Sequence, residues 1–129
     1  MSQTLGQKRA KYALDVISRA EDNGGEDYGR HVRKLPAMIL NNGLGQALAF
    51  LLADDEGKKQ KASWQLYNDL QAWLCKVENP RCIYKNSELI KSLMDNDRSK
   101  YLQAQDEALK LLVWMTKFAD AYLPKSGGR

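Results

Sequence analysis

Histidine, cysteine and long apolar runs are scarce in this chain, and each scarcity removes a class of function. Among 129 residues there is one histidine, His31, and two cysteines, Cys75 and Cys82. A zinc centre needs several such ligands converging on one point, and this cysteine spacing is not that of a zinc site. No metal and no cofactor are therefore expected. His31, flanked by Arg30 and Val32, reads as a surface or helix-packing residue rather than a general base. Cys75 falls beside an apolar stripe, where an inert core thiol is expected, and thiols without an export signal are expected to be reduced. The longest uninterrupted apolar run, Ala47 to Ala53, is far short of the roughly 20 residues of a membrane span. The opening MSQTLGQKRAK lacks the apolar region of a signal peptide. A cytoplasmic chain with no membrane contact is the expectation.

What is present is helical periodicity. Leu5, Arg9, Tyr12, Ala13, Val16, Ile17 and Ala20 recur at spacings of three and four, and Thr4 with Gln7 offers a capping box. Asn23-Gly24-Gly25 ends that helix, and a second begins near Glu26 or Asp27. Pro36 predicts a break or kink, since it lacks an amide hydrogen and disfavours helical geometry at Leu35. Asn41-Asn42-Gly43 predicts a further interruption before Leu44 to Ala53. Leu66, Leu70, Trp73 and Val77, widened by Tyr67 and Leu74, mark another buried stripe that stops before Pro80. Arg81 to Lys85 is too short and too isolated for a strand, and reads as a connection. Asn86 or Ser87 can cap a short helix carrying Leu89, Ile90, Leu93 and Met94. The last helix is apolar at Leu102, Ala108, Leu111, Leu112, Met115, Phe118, Ala119 and Tyr122, with Leu109, Val113 and Trp114 on further faces. So wide a stripe predicts a central helix covered from several sides, with Trp73 and Trp114 in the core. The fold class is all-α: a single-domain compact bundle of about five to six helices, spanning residues 1–123 with a Pro-kinked second helix, followed by a frayed tail at 124–129.

Carboxylates offer no better route to catalysis. Asp95-Asn96-Asp97 opens like a calcium loop, but Lys100 stands where the turn needs glycine, so helix capping explains these aspartates better. Asp54-Asp55-Glu56 reads as a solvated turn. Gly43-Leu44-Gly45 lacks the third glycine of a phosphate cradle and follows a helix rather than a strand, so close helix packing is its expected use. A metal-dependent nuclease is disfavoured, and no enzyme activity is expected.

The formal net charge is +4, and its distribution is uneven. Lys8, Arg9, Lys11 and Arg19 crowd the first segment, Arg30, Arg33 and Lys34 the second, and Lys58, Lys59 and Lys61 the third, with acidic stretches between. Segregation of this kind suits a subunit that meets a polyanion on one side and basic neighbours on another; solvated helix faces are the plainer reading. Tyr12, Tyr28 and Trp64 lie near these cations, as single-strand stacking residues would, although Tyr12 also fits the apolar stripe.

Two apolar blocks are idiosyncratic. Leu35, Pro36, Ile39, Gly43, Leu44, Leu48 and Phe50 form one, and Glu107, Ala108, Leu109, Trp114, Phe118 and Ala119 the other. Their wording and the order of elements resemble the small all-helical subunit family of the type III-B CRISPR (Cmr) RNA-silencing effector. The resemblance runs over nearly the whole chain and rests on structural positions, not on a catalytic motif. It implies a non-enzymatic role in a ribonucleoprotein of antiviral defence, with copies of the chain stacked as a minor filament along guide and target RNA. The implied partners are CRISPR RNA, target RNA, other Cmr subunits and further copies of the chain. Base pairing reads sequence in a guided complex, so the protein needs only cationic backbone contacts. The candidates for these are Lys8, Lys11, Arg19, Arg30, Arg33 and Lys34, chosen for charge density at helical spacing. The alternative is a helical protein-interaction module with no RNA contact.

Overall fold

A computed structural model describes residues 3–23, 25–54, 61–76, 82–85, 87–95 and 97–125. These hold six helices, α1 (Leu5–Asp22), α2 (Glu26–Asn42), α3 (Leu44–Asp54), α4 (Ala62–Cys75), α5 (Leu89–Asp95) and α6 (Arg98–Tyr122), and no strand. The expected all-α bundle is what forms. Val77, Pro80, Arg81, Asn86, Lys58 and Lys59 lie outside the described residues, as does the tail from 126 onward.

The helix ends follow local chemistry. Thr4 Oγ1 accepts from the Gln7 amide while Gln7 Oε1 accepts from the Thr4 amide, completing the capping box of α1. Asp97 caps α6 by accepting from the Lys100 amide. Gly43, at φ +88°, ends α2 and turns the chain directly into α3, a backbone state that an L side chain resists. Pro36 does not end α2, which continues for six further residues to Asn42. Leu35 and Ile39, on either side of it, are both sealed in the core, and packing of that face outweighs the hydrogen bond that proline forgoes. Of the two caps expected for α5, Asn86 lies outside the described residues and Ser87 does not cap. Ser87 donates its hydroxyl to the Lys85 carbonyl; the first amides of α5 are instead taken by α4, Leu89 N–H by Gln71 Oε1 and Ile90 N–H by Tyr67 Oη.

The core joins Val16 and Ile17 of α1, Leu35 and Ile39 of α2, Leu48 and Leu51 of α3, Leu66 and Leu70 of α4, and Leu111, Leu112 and Met115 of α6. α6 packs chiefly on α1 and α2. α4 touches it too, so it is covered from several sides as expected, though not all round. Val113 is 55% exposed, Leu102 47% and Trp114 36%, so Trp114 is not a core residue. Trp114, Phe118 and Tyr122 instead form a ladder along the helix, with ring centroids 5.8 and 6.4 Å apart. Helices α1, α2 and α4 do not enclose an apolar stripe this wide, and the residual face stays outside. Gly45 is buried where Cβ would meet Met94 Cε at 3.1 Å and Tyr101 Oη at 3.2 Å, the close packing expected of it.

Candidate nucleic-acid interface

Two buried polar knots tie the helices together. In the first, Glu107 of α6 is completely buried and accepts from Arg9 Nε and Nη2, each at 2.8 Å, and from Trp73 Nε1 at 2.8 Å. The fork-to-carboxylate geometry satisfies both charges at once. Arg9 is thereby held even more firmly protonated than usual, chiefly through its hydrogen bond to Glu107. One carboxylate thus ties α1, α4 and α6. The pattern was half visible in the sequence, because Arg9 sits on an apolar stripe and Glu107 immediately precedes buried Ala108.

The second knot centres on Asp69 of α4, which is 5% exposed. Tyr28 Oη donates to its Oδ2 at 2.6 Å, Tyr12 Oη donates to its backbone carbonyl, and Arg19 Nη2 stands 3.7 Å from Oδ1. Burial pushes the Asp69 carboxyl up, while the Tyr28 hydrogen bond and Arg19 charge pull it back. Burial and the same carboxylate push the Tyr28 phenol well above its ordinary range, so it stays a donor. Both Tyr12 and Tyr28 are therefore structural groups with their hydroxyls engaged inside the fold.

Above this knot opens a cleft of about 960 Å³ where the end of α1 meets the starts of α2 and α4. It brings together Arg19 and Arg30, two of the six candidate RNA contacts, with Lys61. Five carboxylates, Asp22, Glu26, Asp27, Asp54 and Asp69, line the same cleft, and Arg30 Nη2 is paired with Asp27 at 2.8 Å. Among the described residues this is a mixed cleft and not a cationic trough. His31, 5% exposed, places Nε2 3.3 Å from Asp54 Oδ2. Burial, reinforced by Arg30, lowers its pKa and favours the neutral ring, so it is the helix-packing residue the sequence suggested.

The other four candidates lie elsewhere. Arg33 is committed to the fold: Nε donates to Asp120 Oδ1 at 2.8 Å, and Nη2 to the Ala119 and Leu123 carbonyls at 3.0 and 3.4 Å. It closes the C-terminal end of α6, where carbonyls lack helical partners. Lys34 is exposed on α2. Lys11 is exposed with only a long contact, 3.9 Å, to Asp15, and Lys8 is half-buried on the same face of α1. Lys8, Lys11 and Lys34 are the candidates whose charge is least used by the fold.

The polar interior serves the fold, while the unspent groups lie outside: lysines on α1 and α2, and apolar side chains on α2 and α6. The chain belongs to the CRISPR-associated protein family Cas_Cmr5, whose family model matches residues 5–122. It is similar to the CRISPR system Cmr subunit Cmr5 of Thermotoga maritima, at 28% identity over 123 residues, covering 93% of this chain and 85% of the relative. It is also similar to the crystal structure of a CRISPR-associated Cmr5 family protein from Thermus thermophilus. That match has a TM-score of 0.73 and 26% identity over 94% of this chain and 99% of the other.

Proposed function

We propose that this chain is a non-catalytic small subunit of a type III-B CRISPR ribonucleoprotein, stacking with copies of itself along guide and target RNA and steadying the strand by backbone contacts. The observation that carries the reading is the family match across residues 5–122, which leaves almost none of the described chain outside it. Its partners in this reading are CRISPR RNA, target RNA and other Cmr subunits. Lys8, Lys11 and Lys34 are the foremost RNA contacts, joined by Arg19 and Arg30 at the cleft rim; Arg33 contributes mainly by holding α6.

A few phosphate contacts per subunit release few counterions, so an isolated subunit binds weakly and affinity accumulates along the strand. RNA titration at several salt concentrations tests this. Affinity should fall steeply with salt, be the same for unrelated sequences, and drop when Lys8, Lys11 and Lys34 are changed together to Glu with the helical spectrum intact. Unchanged target-RNA binding by the assembled complex carrying that variant would refute the RNA reading.

One observation favours a protein contact as a second role. Pro36 and Leu40 of α2 and Leu109, Leu112 and Val113 of α6 line an apolar groove of about 460 Å³, and Leu40 is 70% exposed. Apolar surface of this kind marks protein contacts. Leu40→Glu should then reduce incorporation into the complex without altering RNA affinity of the free chain.

A further inference from the structure

The two cysteines lie on chain segments that the fold turns back on each other. α4 ends at Cys75, where the Lys76 amide donates to the Ala72 carbonyl. The chain then returns, and the amides of Ile83 and Tyr84 both donate to the Leu74 carbonyl, at 2.8 and 3.2 Å. Cys75 directly follows the acceptor of these bonds, and Cys82 directly precedes the first donor. Covalent geometry across one such hydrogen bond keeps the two Cα atoms no more than about 8 Å apart, a bound that includes the roughly 4.4–6.8 Å that a disulfide spans. The return is anchored, because Tyr84 is only 3% exposed and belongs to the core.

We propose that Cys75 and Cys82 form a redox modification site, closing an intramolecular disulfide when the protein meets a two-electron oxidant of the peroxide class. The residues divide the chemistry by exposure. Cys82 is half-buried and meets the oxidant; Cys75 is buried. Burial and the neighbouring Cys82 push the Cys75 thiol up to about 11, so it attacks only a sulfur brought against it, and this second step is the slow one. Cys82 sulfur attacks the peroxide, the O–O bond breaks, an S–O bond forms and one water leaves. Cys75 sulfur then attacks Cys82 sulfur, the S–S bond forms, the S–O bond breaks, and the departing hydroxide takes the Cys75 proton as a second water. Two thiols are oxidised by two electrons, and the peroxide is reduced to two waters. The clip joins the end of α4 to the segment that leads into α5, and a reducing thiol reopens it.

The test treats the full chain with hydrogen peroxide under native conditions, then denatures it and alkylates it with N-ethylmaleimide before measuring intact mass. The expected product is a monomer about 2 Da lighter that takes no adduct, and that regains two reactive thiols with dithiothreitol. Cys75→Ser should stop at a sulfenic acid on Cys82, about 16 Da heavier; Cys82→Ser should stay reduced. The clipped protein should keep its helical spectrum and melt roughly 5 °C higher, because the closed loop restricts the unfolded chain. Over-oxidised Cys82 with Cys75 still alkylated, a cross-linked dimer as the main product, or a disulfide that appears only with loss of helix would each overturn the proposal.

Discussion

Replacing Glu107 with Ala removes the group on which α1, α4 and α6 converge, and its effect can be worked from the geometry. The carboxylate is 0% exposed and the Arg9 side chain 12%, so removal strands a largely desolvated guanidinium and takes from Trp73 Nε1 its 2.8 Å acceptor. Breaking a buried pair on one side costs about 3–5 kcal/mol, a large part of the roughly 5–15 kcal/mol that holds a domain folded. With a urea slope of about 1.5 kcal/mol/M for a chain of this size, a loss of about 4 kcal/mol moves the midpoint down by roughly 2.5 M. Urea unfolding followed by Trp fluorescence reads this directly. The control is Arg9→Met with Glu107→Leu, which removes both charges together and should recover at least half of the loss, since no unpaired charge remains buried. A midpoint shift under about 0.5 M for Glu107→Ala, or a double variant as unstable as the single one, would show that the pair does not organise the fold as argued.

The two neighbouring cations of α2 should separate cleanly: Arg33→Gln, which strips the end of α6 of its cap, should lower stability by about 1–2 kcal/mol, whereas Lys34→Gln should leave melting unchanged and weaken only RNA binding. Thr4→Ala should remove the capping box of α1 and cost about 1 kcal/mol by urea titration. His31 supplies a pH test. Its folded-state pKa lies below the ordinary 6.5, so the unfolded chain takes up the proton first. Stability should therefore be lost as pH falls from about 6.5 through the lowered value, and level off below it. His31→Gln should flatten that limb of the stability profile, and an unchanged limb would refute the assignment. Asp69 runs in the opposite sense, since its folded pKa is raised: its contribution is lost as pH climbs from the ordinary aspartate value through the raised one, and Asp69→Asn should be neutral or stabilising at pH 7.

Helix number, helix ends and most of the core were legible in the residues, because periodicity and capping act over three or four positions and need no tertiary partner. The Thr4–Gln7 box, the Gly43 break and the Asp97 cap all formed as written locally. Proline at position 36 left two outcomes open, a break or a kink, and the break does not occur: α2 runs on to Asn42, with Leu35 and Ile39 buried on either side. α6 shows the converse. Its apolar spacing extends to Trp114 and Val113, yet how many helices cover a stripe is a property of the packed bundle. The family was also legible, since it rests on the wording of packed helices. Which cations remain available was not. Arg33 and Lys34 are adjacent and chemically alike, but only the fold brings Asp120 and the end of α6 to one of them. Charge density is a sum over the sequence, whereas pairing depends on atoms 87 residues apart meeting at 2.8 Å. That encounter, like those of Glu107 with Arg9 and Asp69 with Tyr28, is decided by tertiary structure alone.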